Sequence, residues 1–300
     1  MSTATAPVRA TPPPLPSPPG TAPRRRIVAT PAAWLVWGAV AIFLVLLLGV
    51  VSSVLVNSFG TQWFDTWLPK GWTTQWYAQA WNDFDLLPVI VTTLEVAVAV
   101  VALSVLVGAP ASYVLARRAF PGKRAVQLLF LLPIMMPPIT YGIPLATLLY
   151  KVGLAGNISG VVLANLVPCV PFVVLTMTPF IEQLDPAIEQ AARMSGARTW
   201  SVFTRILAPL LLPGILASSI LVLVRTVGMF ELTFLTAGPD STTLVVALFN
   251  SMNAAGIRAQ QSVDSMAVIY MAVMLVLLVV ALRFVNPTQL VSQVKEEQPS

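Results

Sequence analysis

Long apolar runs, separated by short polar segments, make up most of this 300-residue chain. Several of the runs reach the length of about 20 residues that a helix needs to cross the hydrocarbon core of a bilayer. They cover approximately residues 32–56, 86–116, 125–149, 158–180, 210–235 and 264–284. The pattern therefore predicts an all-α, polytopic membrane protein with six transmembrane helices. The composition, 57% hydrophobic and 10% charged residues, agrees, since about 25% of residues are charged in soluble domains.

The chain is predicted to hold one membrane domain between two polar tails. Residues 1–30 are rich in proline and end in a basic triplet at 24–26, which indicates a disordered cytoplasmic tail. The alternative, a cleaved signal peptide, is disfavoured because the following apolar run exceeds the roughly 7–15 residues of a signal-peptide core. Residues 31–285 form the six-span domain, and residues 286–300 form a second cytoplasmic tail.

The third predicted span is broken by a group of prolines. They are Pro133, Pro137, Pro138 and Pro144. Proline lacks a backbone donor and interrupts a helix. Two interpretations remain open. The prolines either kink a packed helix, or they free carbonyl groups beside Thr140 and Tyr141 that line a solute path near the membrane midplane.

Three charged residues fall inside predicted spans, where a charge is costly and therefore suggests a function. Glu95 lies in the second span, and Arg225 and Glu231 lie in the outer half of the fifth. On one helix, Arg225 and Glu231 do not share a face, because their spacing corresponds to about 600° of rotation. Each needs another partner, either a solute, water in a cavity or a neighbouring helix. An acidic group near the outer mouth suits a cationic solute, and an interhelical bond is the structural alternative.

A polar stretch between the fourth and fifth spans, residues 184–209, is predicted to fold into a helix–turn–helix that we term the hinge. Asp185 can cap a helix whose first residue is Pro186. Gly196 can end that helix in a left-handed turn, and Thr199 can cap a second helix that runs towards Pro209. The hinge carries three arginines and is suited to contact with another protein. An ordinary surface hairpin is the alternative.

The sequence contains no residues for ATP hydrolysis or for catalysis. A phosphate-binding loop needs Gly-x-x-x-x-Gly-Lys-Ser/Thr, whereas Gly122-Lys123 is followed by Arg124 and lacks the first glycine. The chain has no histidine, which excludes zinc-protease motifs and a serine nucleophile with a histidine base. Its one cysteine, Cys169, excludes an intramolecular disulfide. We therefore expect no metal site, no cofactor on this chain, and an energy source outside it, either a partner ATPase or an ion gradient.

The distribution of basic residues predicts the orientation in the membrane. Most of the 17 Lys and Arg residues lie on the side of the two termini and the hinge, and the opposite side holds Lys70, Lys151 and Arg258. By the positive-inside rule, the termini and the hinge are cytoplasmic in a plasma (inner) membrane. The charges are spread over loops rather than clustered with aromatic residues, so a nucleic-acid partner is not expected.

The loop between the first two spans, residues 57–85, is rich in tryptophan. Its tryptophans are Trp63, Trp67, Trp72, Trp76 and Trp81. Tryptophan favours the boundary between water and lipid, so we expect the loop to lie partly on the outer membrane surface. An aromatic cage for a ligand is the alternative.

The hinge resembles the cytoplasmic loop of permease subunits of type I ATP-binding-cassette (ABC) importers. The family pattern is Glu-Ala-Ala, three residues, Gly, nine residues, then Ile-x-Leu-Pro. The matching residues are Ala191, Ala192, Gly196, Ile206 and Pro209. Gln190 replaces the usual glutamate and Ala208 the usual leucine, while Glu189 supplies an adjacent acid. Residues 112–124, and the segment from Thr236 to Leu244, also resemble these permeases, the latter in their spermidine/putrescine-type branch.

The resemblance implies a binding-protein-dependent importer. The expected partners are a second permease subunit, two cytoplasmic ATPase subunits that bind ATP and Mg, and an extracellular solute-binding protein. A polyamine or similar small solute is the expected substrate, and sugar, iron or phosphonate importers, or a gradient-driven carrier, are the alternatives. The residues expected to dock the ATPase are Glu189, Gln190, Ala191, Ala192, Arg193, Gly196, Arg198, Arg205, Ile206 and Pro209. The residues expected to line the solute path are Glu95, Pro137, Pro138, Thr140, Tyr141, Arg225 and Glu231.

Overall fold

The structure, a computed structural model, describes residues 31–61, 63, 66, 68–253 and 259–283. These residues form helices, turns and one isolated β-bridge between Gly60 and Trp72. The α-helices in chain order are α1 (Pro31–Phe59), α2 (Gln75–Asp83), α3 (Leu86–Arg117), α4 (Lys123–Met135), α5 (Pro138–Lys151), α6 (Ile158–Glu182), α7 (Pro186–Met194), α8 (Thr199–Val202), α9 (Ala208–Val227), α10 (Glu231–Thr236), α11 (Leu244–Asn253) and α12 (Gln260–Arg283). The predicted tails 1–30 and 286–300, and Trp67, lie outside the described residues.

The chain divides into two compact units, residues 1–50 and residues 51–300. The described part of the first unit is the N-terminal portion of α1, a helix of 29 residues. At a rise of about 1.5 Å per residue, α1 is about 43 Å long, which exceeds the roughly 30 Å core of a bilayer. Helix α1 therefore has the length and the apolar composition of a membrane span.

Helices α3, α6 and α9 form the centre of the second unit. Their buried side chains, including Val100, Val173 and Val222, belong to one apolar cluster. The contact between α3 and α6 is close at Gly108, where a Cβ atom would lie 2.7 Å from Cγ1 of Val173. Small residues allow membrane helices to approach closely, since lipid supplies no hydrophobic force between them.

The third predicted span consists of two helices. Helices α4 and α5 meet at an angle of 99°. The break lies at Met136 and Pro137, which are both extended, because a proline disfavours the helical conformation in the residue before it. Five described helices are long and apolar enough to cross a membrane, and counting the bent pair as one span makes six. This number agrees with the sequence prediction.

The fifth span differs at both ends from the predicted residues 210–235. It begins at Phe203, because a π-helical turn, Phe203–Leu207, joins α8 to α9 without a break. The wider turn accommodates Pro209, whose ring would clash with a regular preceding helical turn. The span ends at Val227, and Glu231 begins a separate helix, α10. The prediction that Arg225 and Glu231 share one helix is therefore wrong.

The segment after α10 contains a 3₁₀ turn (Pro239–Ser241) and the short apolar helix α11. The backbone N–H of Leu244 donates to the Thr93 hydroxyl at 2.9 Å, which joins the start of α11 to α3. The sixth span, α12, is joined to the end of α1 by a hydrogen bond from the Asn57 amide to Asp264. The first bond holds the start of α11 against α3, and the second holds the end of α1 against α12.

The tryptophan-rich loop contains α2 and presents part of its aromatic surface outwards. Trp72 is 62% exposed and Trp81 is 43% exposed. The Trp76 indole instead donates a hydrogen bond of 2.8 Å to the carbonyl of Gly60. Interface anchoring therefore stays a prediction for Trp72 and Trp81, whereas Trp76 stabilises the loop itself.

Candidate functional site: the hinge and a polar cluster

The first helix of the hinge, α7, begins as the sequence predicts. The Asp185 carboxylate accepts a hydrogen bond of 2.8 Å from the backbone N–H of Ala187, which satisfies one of the free donors at the helix start. Pro186 is the first residue of the helix, where its missing N–H has no cost. A short polar sequence thus forms a defined helix outside the apolar bundle.

Gly196 ends α7 in a left-handed turn with φ of 81°. The N–H of Ala197 donates to the carbonyl of Ala192 at 3.2 Å, and the N–H of Gly196 donates to the carbonyl of Arg193 at 3.0 Å. These two bonds are the Schellman motif, in which a residue without Cβ takes the left-handed position. The prediction of a glycine turn at this position agrees with the structure.

The predicted docking residues differ in exposure. The exposed ones are Gln190, Ala191, Arg193, Gly196, Arg198, Arg205 and Pro209. Ala192 and Ile206 are partly buried, and Glu189 is buried. The hinge also exposes apolar side chains that the sequence analysis did not single out, with Met194 84% and Ile188 41% exposed. Basic and apolar groups therefore share the outer surface of α7.

Glu189 binds inside the chain, at the C-terminal end of α3, in a group that we term the carboxylate clamp (Tyr113, Arg117 and Glu189). The Arg117 Nε donates to Oε1 of Glu189 at 2.9 Å, and the Tyr113 hydroxyl donates to Oε2 at 2.6 Å. A second nitrogen of Arg117 donates to the carbonyl of Leu184 at 2.6 Å. Arg117 thus holds both the start of the hinge and the middle of α7.

The clamp decides which of Glu189 and Gln190 occupies the exposed position on α7. Neighbouring helical residues lie about 100° apart around the axis, so the two side chains point in different directions. Glu189 is 8% exposed and bound by α3, whereas Gln190 is exposed. The acid at 189 is therefore occupied within the chain, and the outward position carries a neutral amide.

Sequence analysis missed the two partners of Glu189, although a signal was present. Tyr113 and Arg117 are four residues apart, so they lie on the same face at the end of the second predicted span. Nothing in the sequence placed that face against residue 189, which lies more than 70 positions away. Only the packing of α7 against α3 brings the three groups together.

A polar cluster (Tyr141, Asn165, Cys169, Arg225 and Glu231) lies where α5, α6, α9 and α10 meet. The Arg225 guanidinium lies 5.7 Å from the centre of the Phe172 ring, a cation–π distance. Arg225 and Glu231 both lie within electrostatic range of the Tyr141 hydroxyl, and Arg225 within range of the Cys169 thiol. The structure therefore brings three of the predicted path residues into one region.

Several polar atoms of this cluster are buried without a hydrogen-bond partner among the described residues. They are Nε of Arg225, the hydroxyl of Tyr141 and Oδ1 of Asn165. Asn165 is fully buried, and its amide donates to the carbonyl of Val161 and to the hydroxyl of Thr233. The Cys169 thiol lies 3.7 Å from the Thr226 hydroxyl. Buried polar groups usually have partners, so these free atoms can bind a polar solute or water.

The other predicted path residues lie apart from the cluster's hydrogen bonds. Glu95 is exposed on α3 within this chain, Pro137 and Thr140 are exposed, and Pro138 is partly buried at the start of α5. Asn165 was missed, although an amide in an apolar span was a readable signal. No group of three His, Cys, Asp or Glu residues with metal-binding geometry occurs in the described part of the chain.

A bundle of spans, one of them broken, with a helix–turn–helix between two of them, places the chain in the class of polytopic helical membrane proteins. Residues 104–289 match the family described as binding-protein-dependent transport system inner membrane component. The match covers more than half of the chain, and the chain belongs to this family.

Relatives with several substrates are similar to this chain. The diacetylchitobiose uptake system permease protein NgcG of Streptomyces coelicolor is 31% identical over 51% of this chain and 51% of NgcG. The spermidine/putrescine transport system permease protein PotC of Escherichia coli K12 is 26% identical over 75% of this chain and 84% of PotC. The trehalose transport system permease protein SugB of Mycobacterium tuberculosis is 30% identical over 54% of this chain and 59% of SugB. The predicted resemblance to polyamine-type permeases is confirmed, and sugar permeases stand beside them.

Solved structures confirm the predicted fold class. A bacterial ABC transporter involved in the import of the acidic polysaccharide alginate matches with a TM-score of 0.65, 18% identity, and coverage of 90% of this chain and 96% of that chain. The MetNI methionine ABC transporter matches with a TM-score of 0.53, 17% identity, and coverage of 66% and 93%. The family match makes the chain a multi-pass, inner-membrane permease subunit, and these solved structures show that its fold is that of ABC importer permeases.

Proposed function

We propose that this subunit forms one half of a solute path and is driven by a cytoplasmic ATPase that contacts the hinge. The observation that carries the proposal is the outer surface of the hinge. Arg193, Arg198 and Arg205 are exposed on the hinge, and so are the apolar side chains of Ile188 and Met194. Exposed apolar groups with flanking arginines are typical of a protein interface, since arginine is enriched at such contacts.

The partners follow from the same role. Two cytoplasmic ATPase subunits bind ATP and Mg, because this sequence lacks a phosphate-binding loop. A second permease subunit, either an identical chain or a homologue, completes the path. An external solute-binding protein delivers the substrate. ATP binding draws the ATPases together, and the bundle alternates between inward-open and outward-open states as a population shift.

The proposed orientation has both termini and the hinge in the cytoplasm, as the distribution of basic residues favours. A thiol-reactive, membrane-impermeant reagent tests it. Cysteine introduced at Arg198 is expected to react only after the membrane is opened, and the native Cys169 is fully buried, so it contributes little background. Reaction of the Arg198→Cys variant in intact cells would contradict the orientation.

The polar cluster is our candidate for the solute contact within this subunit. Its unpaired atoms include donors from Arg225 and Tyr141 and an acceptor from Asn165, and Glu231 adds a carboxylate within electrostatic range of the tyrosine. Glu95 we assign to the path or to the partner permease, because an exposed carboxylate facing lipid would be costly.

A polyamine or similar small cationic solute is the substrate that we propose. The broad coverage of PotC supports this class, as do the carboxylates of Glu95 and Glu231. A sugar is the second candidate, favoured by NgcG and SugB and by the hydroxyl and amide groups of Tyr141 and Asn165, which suit a polyhydroxylated molecule.

Reconstitution of the complete importer in vesicles tests the function. Labelled spermidine and labelled trehalose are supplied with the solute-binding protein, and uptake is measured with ATP and with ADP. We expect uptake of one solute that requires ATP and the ATPase subunits. Uptake by the permease alone, without a nucleotide-hydrolysing partner, would refute the proposal. If that solute is spermidine, Glu231→Gln is expected to weaken its uptake, because a carboxylate is lost; if it is trehalose, the same substitution is expected to change uptake little.

A further inference from the structure

We propose that the carboxylate clamp is the link that passes movement of the hinge to α3. The inference rests on the proposed function, because it names the route by which an ATPase at the hinge acts on the bundle. Tyr113 and Arg117 then act as positioning residues for Glu189, and none of the three needs to touch the ATPase.

Both oxygens of the Glu189 carboxylate are bound in the clamp, which makes the contact strong and fixes the orientation of the carboxylate. Each oxygen of the Glu189 carboxylate accepts a separate bond, one from Arg117 at 2.9 Å and one from Tyr113 at 2.6 Å. Charge-assisted bonds of this kind are short and stronger than neutral ones. The bond from Arg117 to the Leu184 carbonyl adds a third connection, to the chain just before α7. The hinge is thus fixed to α3 at two separate points, at Glu189 within α7 and at Leu184 before it.

The clamp lies on the inner side of α7, away from the proposed ATPase surface. Glu189 is buried, whereas Gln190 and Met194 are exposed; Arg193, one turn after Glu189, lies on the face of the clamp and within electrostatic range of the Tyr113 hydroxyl. A force on the exposed side of α7 therefore reaches α3 through the carboxylate. The edge-to-face contact of the Tyr113 and Phe203 rings, with centroids 5.9 Å apart, extends the same connection to the π-helical turn that begins the fifth span.

Helix α3 is well placed to transmit the movement. It packs along α6 and α9, and the three helices share the buried cluster that includes Val100, Val173 and Val222. Packed helices move as rigid bodies rather than deforming continuously. A displacement that enters at the cytoplasmic-side end of α3 is therefore carried along the centre of the bundle.

Removing one clamp partner is expected to lower the stability of the folded chain more than removing both partners. A buried Arg117 without its carboxylate, or a buried Glu189 without its arginine, leaves an uncompensated charge, whereas the double variant leaves two neutral groups. The side chains of Arg117 and Glu189 are 13% and 10% exposed, so solvent does little to compensate for the loss. This asymmetry distinguishes a true pair from two independent residues.

The test uses the complete importer in vesicles, with solute uptake and ATP hydrolysis measured in the same preparation. We expect Glu189→Gln and Arg117→Gln to lower the number of solutes imported per ATP hydrolysed by about tenfold or more, with hydrolysis by the assembled complex largely retained. The double variant also lacks the link, so it is expected to lower the ratio as far as the single variants while recovering part of their lost yield of assembled complex. Tyr113→Phe is expected to lower the ratio less. Glu182→Gln, an exposed acid at the end of α6, is the control and is expected to leave the ratio unchanged.

The outcomes separate the link from the proposed function. Parental uptake that does not need ATP would refute the function itself. ATP-driven parental uptake with an unchanged ratio in the single variants would overturn the link alone. Uptake, hydrolysis and the amount of assembled complex falling in parallel would also overturn it, since that result indicates a purely structural role. Because only assembled complex enters the ratio, a loss of yield does not imitate uncoupling.

Discussion

Gly196 offers a test of the hinge in which backbone conformation is separated from side-chain contact. Its φ of 81° is left-handed, and a Cβ atom built on it meets no atom within 4 Å. A side chain at this position therefore fits in space within this chain and acts through the backbone alone. Gly196→Val is the disruptive change, since β-branched residues are outliers at positive φ, and Gly196→Asn is its partner, since asparagine tolerates this conformation.

The magnitude follows from the cost of the left-handed conformation. That cost is about 1–2 kcal/mol for a residue with a Cβ atom. It corresponds to about a 5- to 30-fold fall in the ratio of the native turn to its alternatives. If docking needs the native turn, that factor is the upper limit of the rise in the dissociation constant of the ATPase subunit, reached when the native turn becomes the minor form. We expect an increase of up to about 5- to 30-fold for valine and a change within about twofold for asparagine.

The measurement is the affinity of the purified ATPase subunit for the permease held in lipid nanodiscs. Gly153 supplies the matched control, because its φ is 72°, its Cβ position is also open, and it follows α5 instead of α7. Gly153→Val has the same kind of local cost and is expected to leave ATPase affinity unchanged. Equal affinity of the valine variant and the parental protein would refute the reasoning. An equal loss with asparagine would show that side-chain bulk, and not backbone strain, decides docking.

Three further predictions concern the helix cap and the close helix contacts. Asp185→Ala removes the cap of α7 and is expected to cost about 0.5–2 kcal/mol of helix stability, seen as faster amide hydrogen exchange across α7. Asp185→Asn is expected to keep the cap and the protection of these amides. Equal exchange rates in the two variants would contradict the role of the cap. Gly108→Ala places a Cβ atom 2.7 Å from Val173 and is expected to cost about 1–3 kcal/mol of stability, seen as a lower Tm in detergent. Val173→Ala in the same chain is expected to restore part of the lost Tm. If the Tm does not recover, the strain lies elsewhere. Gly238→Ala places a Cβ atom 2.3 Å from the carbonyl oxygen of Gly156, a backbone atom that cannot change rotamer, so the Tm is expected to fall further than for Gly108→Ala; a smaller fall would show that this loop shifts freely.

Local features of the hinge could be predicted because they depend on neighbouring residues. Asp185 and Pro186 specify a helix start through the chemistry of one side chain and one missing donor. Gly196 specifies a left-handed end because other residues are strained there. Membrane spans are equally local, since about 20 consecutive apolar residues suffice to cross a bilayer.

The boundaries of the fifth span could not be predicted by the same means. Hydropathy continues past Val227 to Leu235, so the apolar pattern alone favours one long helix. The structure ends the span at Gly228 and turns the chain into α10, whose Leu232 is fully buried against α5 and α6. Packing between helices overrides the pattern along one helix. The same cause separates Glu231 from Arg225 onto different helices.

By itself the sequence determined the class of the protein, the number of spans, the helix–turn–helix at residues 184–209 and the absence of a phosphate-binding loop. Each depends on composition, or on residues close together in the chain. Only the tertiary structure decided that Glu189 faces inward to Tyr113 and Arg117, and that Cys169, Arg225 and Glu231 lie within electrostatic range of Tyr141. The physical reason is that the partner of a buried polar group is set by which helices pack together. That choice is a property of the whole bundle rather than of any one stretch of sequence.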